Sequence, residues 1–307
     1  MVLTAAVFYF AHPSDVIRAA AGADWRWLAA AAASVLVDRA LMALRWIDLL
    51  AALTPGSRPR VARVMRIFFV SSFVSNFIPS VAADMYRAYS LSRHDVRLAE
   101  STASVLMDRV LGVLSMVIVG AAALMLVPLQ TASRGIVVAL TAAFAACAAA
   151  GLVIFSERAA GAMLRTASLV PSNTIRRIAA SLTDAVRRYA HHRRPLVRVL
   201  LMSIAVQAIR IIQAWCLGEA LGIALPLTAY FAIMPVILLI MQVPITINGL
   251  GTTQVAFVTL FAASGVGAAA ATALSILFLV LGVIGSLPGG VLYAIADAPA
   301  TPGAQAS

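Results

Sequence analysis

The chain has 307 residues, of which 62% are hydrophobic and 11% charged, and its mean hydropathy is +0.97. Soluble domains carry about 25% charged residues, so a water-facing surface cannot be covered here and a soluble globule is excluded, as are disorder, collagen-like repeats and a disulfide scaffold. The two cysteines, Cys147 and Cys216, stand in apolar runs and read as small core residues. All 23 basic residues are arginine against 12 acids, a net charge of +11; in short loops between apolar stretches this excess marks loops beside an anionic leaflet rather than a nucleic-acid surface.

The opening Met1 to Phe10 lacks the basic region of a secretory signal. As a helix it would reach about 15 Å, half of a roughly 30 Å hydrocarbon core, so it reads as a clipped span or an interfacial anchor. Apolar runs of spanning length predict helices over Trp27–Leu53, Ala103–Val127, Ile136–Phe155, Val199–Leu221 and Ala268–Ala294. Two further runs, Ile67–Ala83 and Tyr230–Ile247, end in small-residue sequence centred on Pro79 and Pro244, the latter followed by Gly249 and Gly251. These are predicted to be re-entrant.

Charge counting tests the topology. The loop Thr54–Arg66 carries Arg58, Arg60, Arg63 and Arg66 with no acid, and Ser156–Arg198 carries nine arginines, so both are expected in the cytoplasm. Arg87, Arg93 and Arg97 follow Pro79, and only a hairpin that returns to the cytoplasmic side keeps them inside. The uncharged stretches 222–229 and 248–267 then fall outside, with the second broken segment entering from that face. Two broken segments on opposite faces predict an inverted repeat. The expected fold is an all-α integral membrane protein, a polytopic helix bundle with two re-entrant broken-helix hairpins. A single membrane domain would cover 1–297: a first repeat over about 27–155 with its hairpin at 67–83, a connector at 156–198, and a second repeat over about 199–297 with its hairpin at 230–264. Within the connector, Ile175, Ile178, Leu182, Val186 and Tyr189 form an apolar stripe suited equally to a helix on the membrane surface and to one packed against the bundle, and 298–307 reads as a disordered tail.

Ionisable groups at bilayer depth are costly, so each is a candidate for function. Asp38, Arg39, Arg45 and Asp48 lie on the first long run, and the Arg45, Trp46 and Asp48 group reads equally as an interfacial anchor. Asp84 and Arg87 follow the first Pro break at a spacing of one helical turn, and Asp108 and Arg109 begin the next span. Together they can form one cytoplasm-facing cavity of two acids and two bases. Arginine suits phosphate because its planar fork binds two oxygens and keeps its charge. Gln207, Arg210 and Gln213 form a polar stripe at every third residue, with Arg210 near mid-span. The histidines lie in expected loops without ligand partners at zinc spacing, and no nucleophile elbow, Walker loop or dinucleotide fingerprint is present. No metal, cofactor or catalytic residue is therefore assigned.

With these residues in view, the chain resembles the integral-membrane domain of lysylphosphatidylglycerol synthases, a flippase-like family also found without its soluble synthase domain. The matching stretches are Leu44 to Leu50, Ser75 to Tyr89 with Asn76, Pro79, Asp84 and Arg87, Ala103 to Gly112 with Asp108 and Arg109, Pro244 to Gly251, and Ser286 to Gly290. The family's second hairpin usually continues into a glycine pair and an Arg-Glu, whereas this chain has Asn248, Gly249 and then Thr252, Thr253 and Gln254; Ala82 and Ala83 stand where glycines are usual.

The resemblance implies a multi-pass cytoplasmic-membrane protein that translocates a phospholipid or lipid-linked head group through a polar cavity between the hairpins. Substrate-binding residues would be Asp84, Arg87, Asp108, Arg109, Arg210, Gln207, Asn76, Asn248 and Gln254, with Arg87, Arg109 and Arg210 at the phosphate and Pro79, Pro244, Gly249 and Gly251 shaping the hairpins. Expected partners are membrane lipids with phosphate head groups and no nucleic acid; a lipid-modifying enzyme partner and an oligomer are left open. Two other readings stand beside translocation: a membrane-embedded transferase using Asp84 or Asp108 as general base, and a non-transporting scaffold for a lipid-modifying enzyme.

Overall fold

The computed structural model describes residues 21–53, 60–78, 80–93, 96–126, 193–242 and 251–296, together with isolated positions between 138 and 145. The opening segment, most of the run Ile136–Phe155, the amphipathic stripe, the tail, and Pro79, Pro244, Asn248 and Gly249 lie outside them. The described residues are helical and contain no strand, as expected of backbone in lipid, where each N–H and C=O must be satisfied within its own segment.

In chain order the helices are α1 (Trp25–Leu53), α2 (Val61–Val74), α3 (Ser80–Ser92), α4 (Leu98–Leu126), α5 (Arg193–Ala220), α6 (Leu227–Gln242), α7 (Thr252–Ala262), α8 (Ala268–Ile284) and α9 (Leu287–Ala296). Among the described residues, four stretches are long and apolar enough to cross a membrane: Trp25–Ala52, Leu98–Ala123, Arg194–Ala220 and Ala268–Ile295. The chain is a polytopic helical membrane protein. The other four helices are shorter: α2, with 14 residues, and α6, with 16, reach only about 21 to 24 Å at 1.5 Å per residue, less than a hydrocarbon core.

Helix ends follow local chemistry. Gly222 closes α5 at φ 70°, and the Ile223 N–H reaches back to the Gly218 carbonyl at 2.9 Å, the left-handed glycine stop that satisfies otherwise open carbonyls. Gly251 precedes α7 at φ 88°, a conformation that only glycine adopts cheaply, and its N–H donates to Oε1 of Gln254 at 2.6 Å. The run predicted as one helix over Ala268–Ala294 is divided: α8 ends at Ile284 and α9 starts at Leu287. Between them the Ser286 N–H bonds the Val283 carbonyl at 2.9 Å, a tightened final turn.

The bundle is centred on α1 and α5, which pack antiparallel along their length. At one end the Asp24 N–H donates to the Ala220 carbonyl at 3.0 Å; at the other Arg198 pairs with Asp48 at 3.0 Å. Around this pair, α2 packs on α3, α3 on α4, α6 on α7 and α7 on α8. Each half also reaches into the other, since α2 lies against α9 and α6 against α4. The main core joins Met116, Ile211, Leu217, Tyr230, Phe257, Phe261 and Leu274; a second surrounds Trp46, Phe68 and Leu91.

The seam between α2 and α9 is set by two glycines. A Cβ on Gly289 would lie 1.9 Å from the Phe69 carbonyl oxygen, and one on Gly290 2.8 Å from the Phe73 ring. Small residues allow such close backbone approach between membrane helices. Because Gly289 faces backbone, which cannot swing aside, Gly289→Ala is expected to destabilise the fold by about 1 to 3 kcal/mol. Thermal unfolding in detergent reads this as a lowered midpoint, and an unchanged midpoint would mean that the two helices are not in contact.

Candidate functional site

Ionised side chains from both halves of the chain meet inside the bundle, at two levels along α1. The level nearer the C-terminal end of α1 is organised by Asp108 of α4. Arg45 of α1 reaches its Oδ1 at 2.7 Å, and Arg87 of α3 approaches its Oδ2 at 3.7 Å. Arg45 also donates to Ser203 Oγ of α5 at 3.0 Å. Arg87 donates through Nε to Ser71 Oγ of α2 at 3.1 Å, and its guanidinium lies 5.3 Å from the Trp46 ring centroid and 5.2 Å from that of Phe68. The aromatic faces replace part of the hydration that the cation loses on burial. Trp46 is fixed in turn, since its indole N–H donates to Ser104 Oγ at 3.2 Å.

These contacts correct the interfacial-anchor reading of the Arg45 group. Arg45 is 4% exposed and Trp46 fully buried, and Arg45 pairs across helices rather than with Asp48, which is taken by the largely exposed Arg198. The sequence-adjacent acids and bases also cross over: Arg87 goes to Asp108, while Arg109 of α4 pairs with Asp84 of α3. Each acid thus holds a base from the neighbouring helix and ties α3 to α4.

The second level lies about two helical turns back along α1. Asp38 Oδ1 accepts from Arg210 Nε of α5 at 2.9 Å, and Arg210 Nη2 also contacts Met42 Sδ at 2.8 Å. Arg39 turns toward α8, where Nη2 donates to the Gly282 carbonyl at 3.0 Å. Gln207 Nε2 donates to Ser115 Oγ at 3.2 Å.

Both levels open onto one cavity of about 290 Å³, at the small end of the range for ligand sites. Its walls come from α1 to α6 and α8. Of the residues expected from sequence, Asn76, Asp84, Arg87, Asp108, Arg109, Gln207 and Arg210 line it. Asn76 also donates to Ser286 Oγ at 2.7 Å, joining the end of α2 to the start of α9. Gln254 does not line the cavity; its carbonyl is engaged at the start of α7. Asp38, Arg39 and Arg45 do line it. Their depth on a spanning run marked them in the sequence, but one helix read alone gave no indication that they face Asp108 and Arg210. Gln213 of the polar stripe and Ser75 also line the wall, as do Ser72 and Gln242, which carried no sequence signal.

The electrostatics follow from the lining. Arg39, Arg45, Arg87, Arg109 and Arg210 face Asp38, Asp84 and Asp108, which leaves two positive charges in excess. Each of the three carboxylates is held in an ion pair, so none stands free as a general base. Such a cavity can draw in an anion and exchange arginine partners between its carboxylates and a phosphate, which matches the guanidinium fork.

Burial sets how much each pair matters. Removing one partner of a buried pair leaves a charge without compensation, at a cost of about 3 to 5 kcal/mol; exposed pairs contribute about 0 to 1 kcal/mol. Asp108→Asn, which strands Arg45 and weakens the hold on Arg87, is therefore expected to lower the unfolding midpoint in detergent strongly, and Asp48→Asn to leave it nearly unchanged. Equal effects of the two substitutions would contradict the burial seen for Asp108.

Comparison with known proteins adds an independent observation. A family model described as the lysylphosphatidylglycerol synthase TM region matches residues 1–289, and no curated protein was found to match the chain. The family match spans the helices that carry Arg45, Arg87, Asp108 and Arg210. The chain belongs to the lysylphosphatidylglycerol synthase transmembrane-region family.

Proposed function

We propose that this chain translocates lipids with phosphate-bearing head groups between the leaflets of the cytoplasmic membrane, with the head group passing through the arginine-lined cavity while its acyl chains stay in the bilayer. The observation that carries this reading is the excess of two positive charges in a cavity whose walls come from both halves of the bundle. The family match and the ion-paired state of the three lining carboxylates favour movement of a lipid over covalent chemistry on it.

In this reading the molecule is one membrane domain built as an inverted repeat, in which α1 corresponds to α5, α2 to α6, α3 to α7, and α4 to α8 with α9. The packing supports it. Exchanging these labels turns α2 on α9 into α6 on α4, α1 on α2 into α5 on α6, α1 on α4 into α5 on α8, and α4 on α5 into α8 on α1, all of which pack against each other. The central pair α1 and α5 maps onto itself and is antiparallel, as inversion requires. The hairpin reading of α2 and α3 is supported by their length and by Arg60 and Arg63 at one end and Arg93 at the other, the distribution expected when both ends return to the basic side. Arg87, Arg109 and Arg210 act on the phosphate; Asp84, Asp108 and Asp38 hold them when the site is empty and compete for them as the head group leaves. Asn76 ties the first hairpin to α9, so rocking of one repeat against the other would alternate access.

The test is movement of short-chain NBD-labelled phospholipids in liposomes reconstituted with the protein, read by dithionite bleaching of dye that started in the inner leaflet. Wild type is expected to expose this dye. Arg87→Ala and Asp108→Asn, at matched incorporation of folded protein, are expected to slow it by about tenfold or more, the equivalent of one charge-assisted hydrogen bond. Absence of protein-dependent movement for anionic, zwitterionic and cationic head groups alike would overturn the proposed function.

A further inference from the structure

The arginines of the cavity are not equivalent. Arg45, Arg87 and Arg109 belong to one level with Asp84 and Asp108, and Arg39 and Arg210 to the other with Asp38, so each level carries one cation more than its acids. At the first level the loosely held base is Arg87, 3.7 Å from a carboxylate that Arg45 already engages at 2.7 Å. At the second level Asp38 is committed to Arg210, and Arg39 has no ion-pair partner among the described residues. Among the described residues its Nη2 donates to the Gly282 carbonyl, and its buried Nε has no hydrogen-bond partner. A buried donor left unsatisfied is expensive and calls for an explanation.

The surroundings of Arg39 are shaped around this group. A Cβ on Gly285 would lie 2.2 Å from Val35 Cγ1 and 3.2 Å from Arg39 Nε, so glycine there lets α8 approach α1 closely beside this edge of the guanidinium. Buried Gln207 Oε1, in the same cavity, also lacks a partner and accepts hydrogen bonds such as those of a head-group hydroxyl.

Building on the proposed function, we propose that Arg39 is a second phosphate-docking residue: a phosphodiester head group passes from the level of Arg87 and Asp108 to Arg39, about 9 Å away along α1. Arg39 and Arg45 stand six positions apart on α1, so the two levels are distinct stops rather than two sides of one site.

Three measurements test this. In the liposome assay with NBD-phosphatidylglycerol, Arg39→Gln is expected to slow movement about tenfold. Binding of the same lipid in detergent, read by NBD fluorescence, is expected to stay within about threefold of wild type because the Arg87 level is intact. Arg39→Lys, which restores the charge without the fork, is expected to recover most of the rate. Wild-type movement in Arg39→Gln, or a loss of binding as large as that of Arg87→Ala, would overturn the second stop while leaving translocation standing; a wild type that moves no lipid overturns both. Should Arg39→Gln fail to fold, modification of Arg39 by phenylglyoxal in the wild-type protein decides. Slowing of that modification by phosphatidylglycerol supports the proposal, and no slowing overturns it.

Discussion

An ionised side chain inside a bilayer persists only where another part of the protein takes over the role of water, and in this molecule that constraint organises the whole bundle. The cavity collects eight such groups, and the contacts that compensate them join different helices: α1 to α4 through Arg45, α3 to α4 through Arg109, α1 to α5 through Arg210, and α1 to α8 through Arg39. Apolar packing alone could not fix this arrangement, because lipid tails are as apolar as the helix faces that they would replace. The ion pairs and the glycine seams supply what hydrophobic burial supplies in water. They also hold the cavity open, because a charged wall cannot collapse onto itself without losing its partners.

The same arrangement explains why a polar path and a stable bundle coexist. Ion pairs wholly satisfied by protein would make a rigid lattice with no affinity to spare. Here the acids are outnumbered, so a phosphate can enter as a further acceptor for arginines that the carboxylates hold only in part or not at all. Trp46 and Phe68 contribute by supporting Arg87 on their faces, which keeps it available to an anion while its carboxylate partner is shared.

Much of this was legible in the sequence. Long apolar runs located α1, α4 and α5, and their depth made Asp38, Asp108 and Arg210 conspicuous. Helix limits were less legible: α4 starts at Leu98 rather than Ala103 and α5 at Arg193 rather than Val199, because hydropathy reports lipid contact while a helix continues into its polar flank. The run Ile67–Ala83 crosses the junction of α2 and α3 for the same reason, since the first turns of α2 carry Arg63 and Arg66. The division of the final run at Gly285 and Ser286 left no trace in hydropathy, as both sides are equally apolar. Pairing was the least legible. Asp84 and Arg87, one helical turn apart, are natural partners by spacing, yet tertiary packing pairs each with a residue of α4, and Gln254 is drawn to the Gly251 backbone rather than to the cavity. One-dimensional spacing orders the residues of one helix face but carries no information on which other helix that face will meet.

The order of synthesis gives the two levels different histories. Asp84 and Arg109 are 25 residues apart, so at roughly 5 to 20 residues per second the acid waits only seconds for its base. Asp38 must wait for Arg210, 172 residues later, and Asn76 for Ser286, 210 residues later, which at the same speed is roughly 10 to 40 s. The first half therefore emerges able to form the Asp84–Arg109 pair at once, while Asp38 stands at mid-span without Arg210, the base it meets in the finished bundle. Until α5 is made, burial of that carboxylate in lipid is costly, so the second level is completed only when both halves are present.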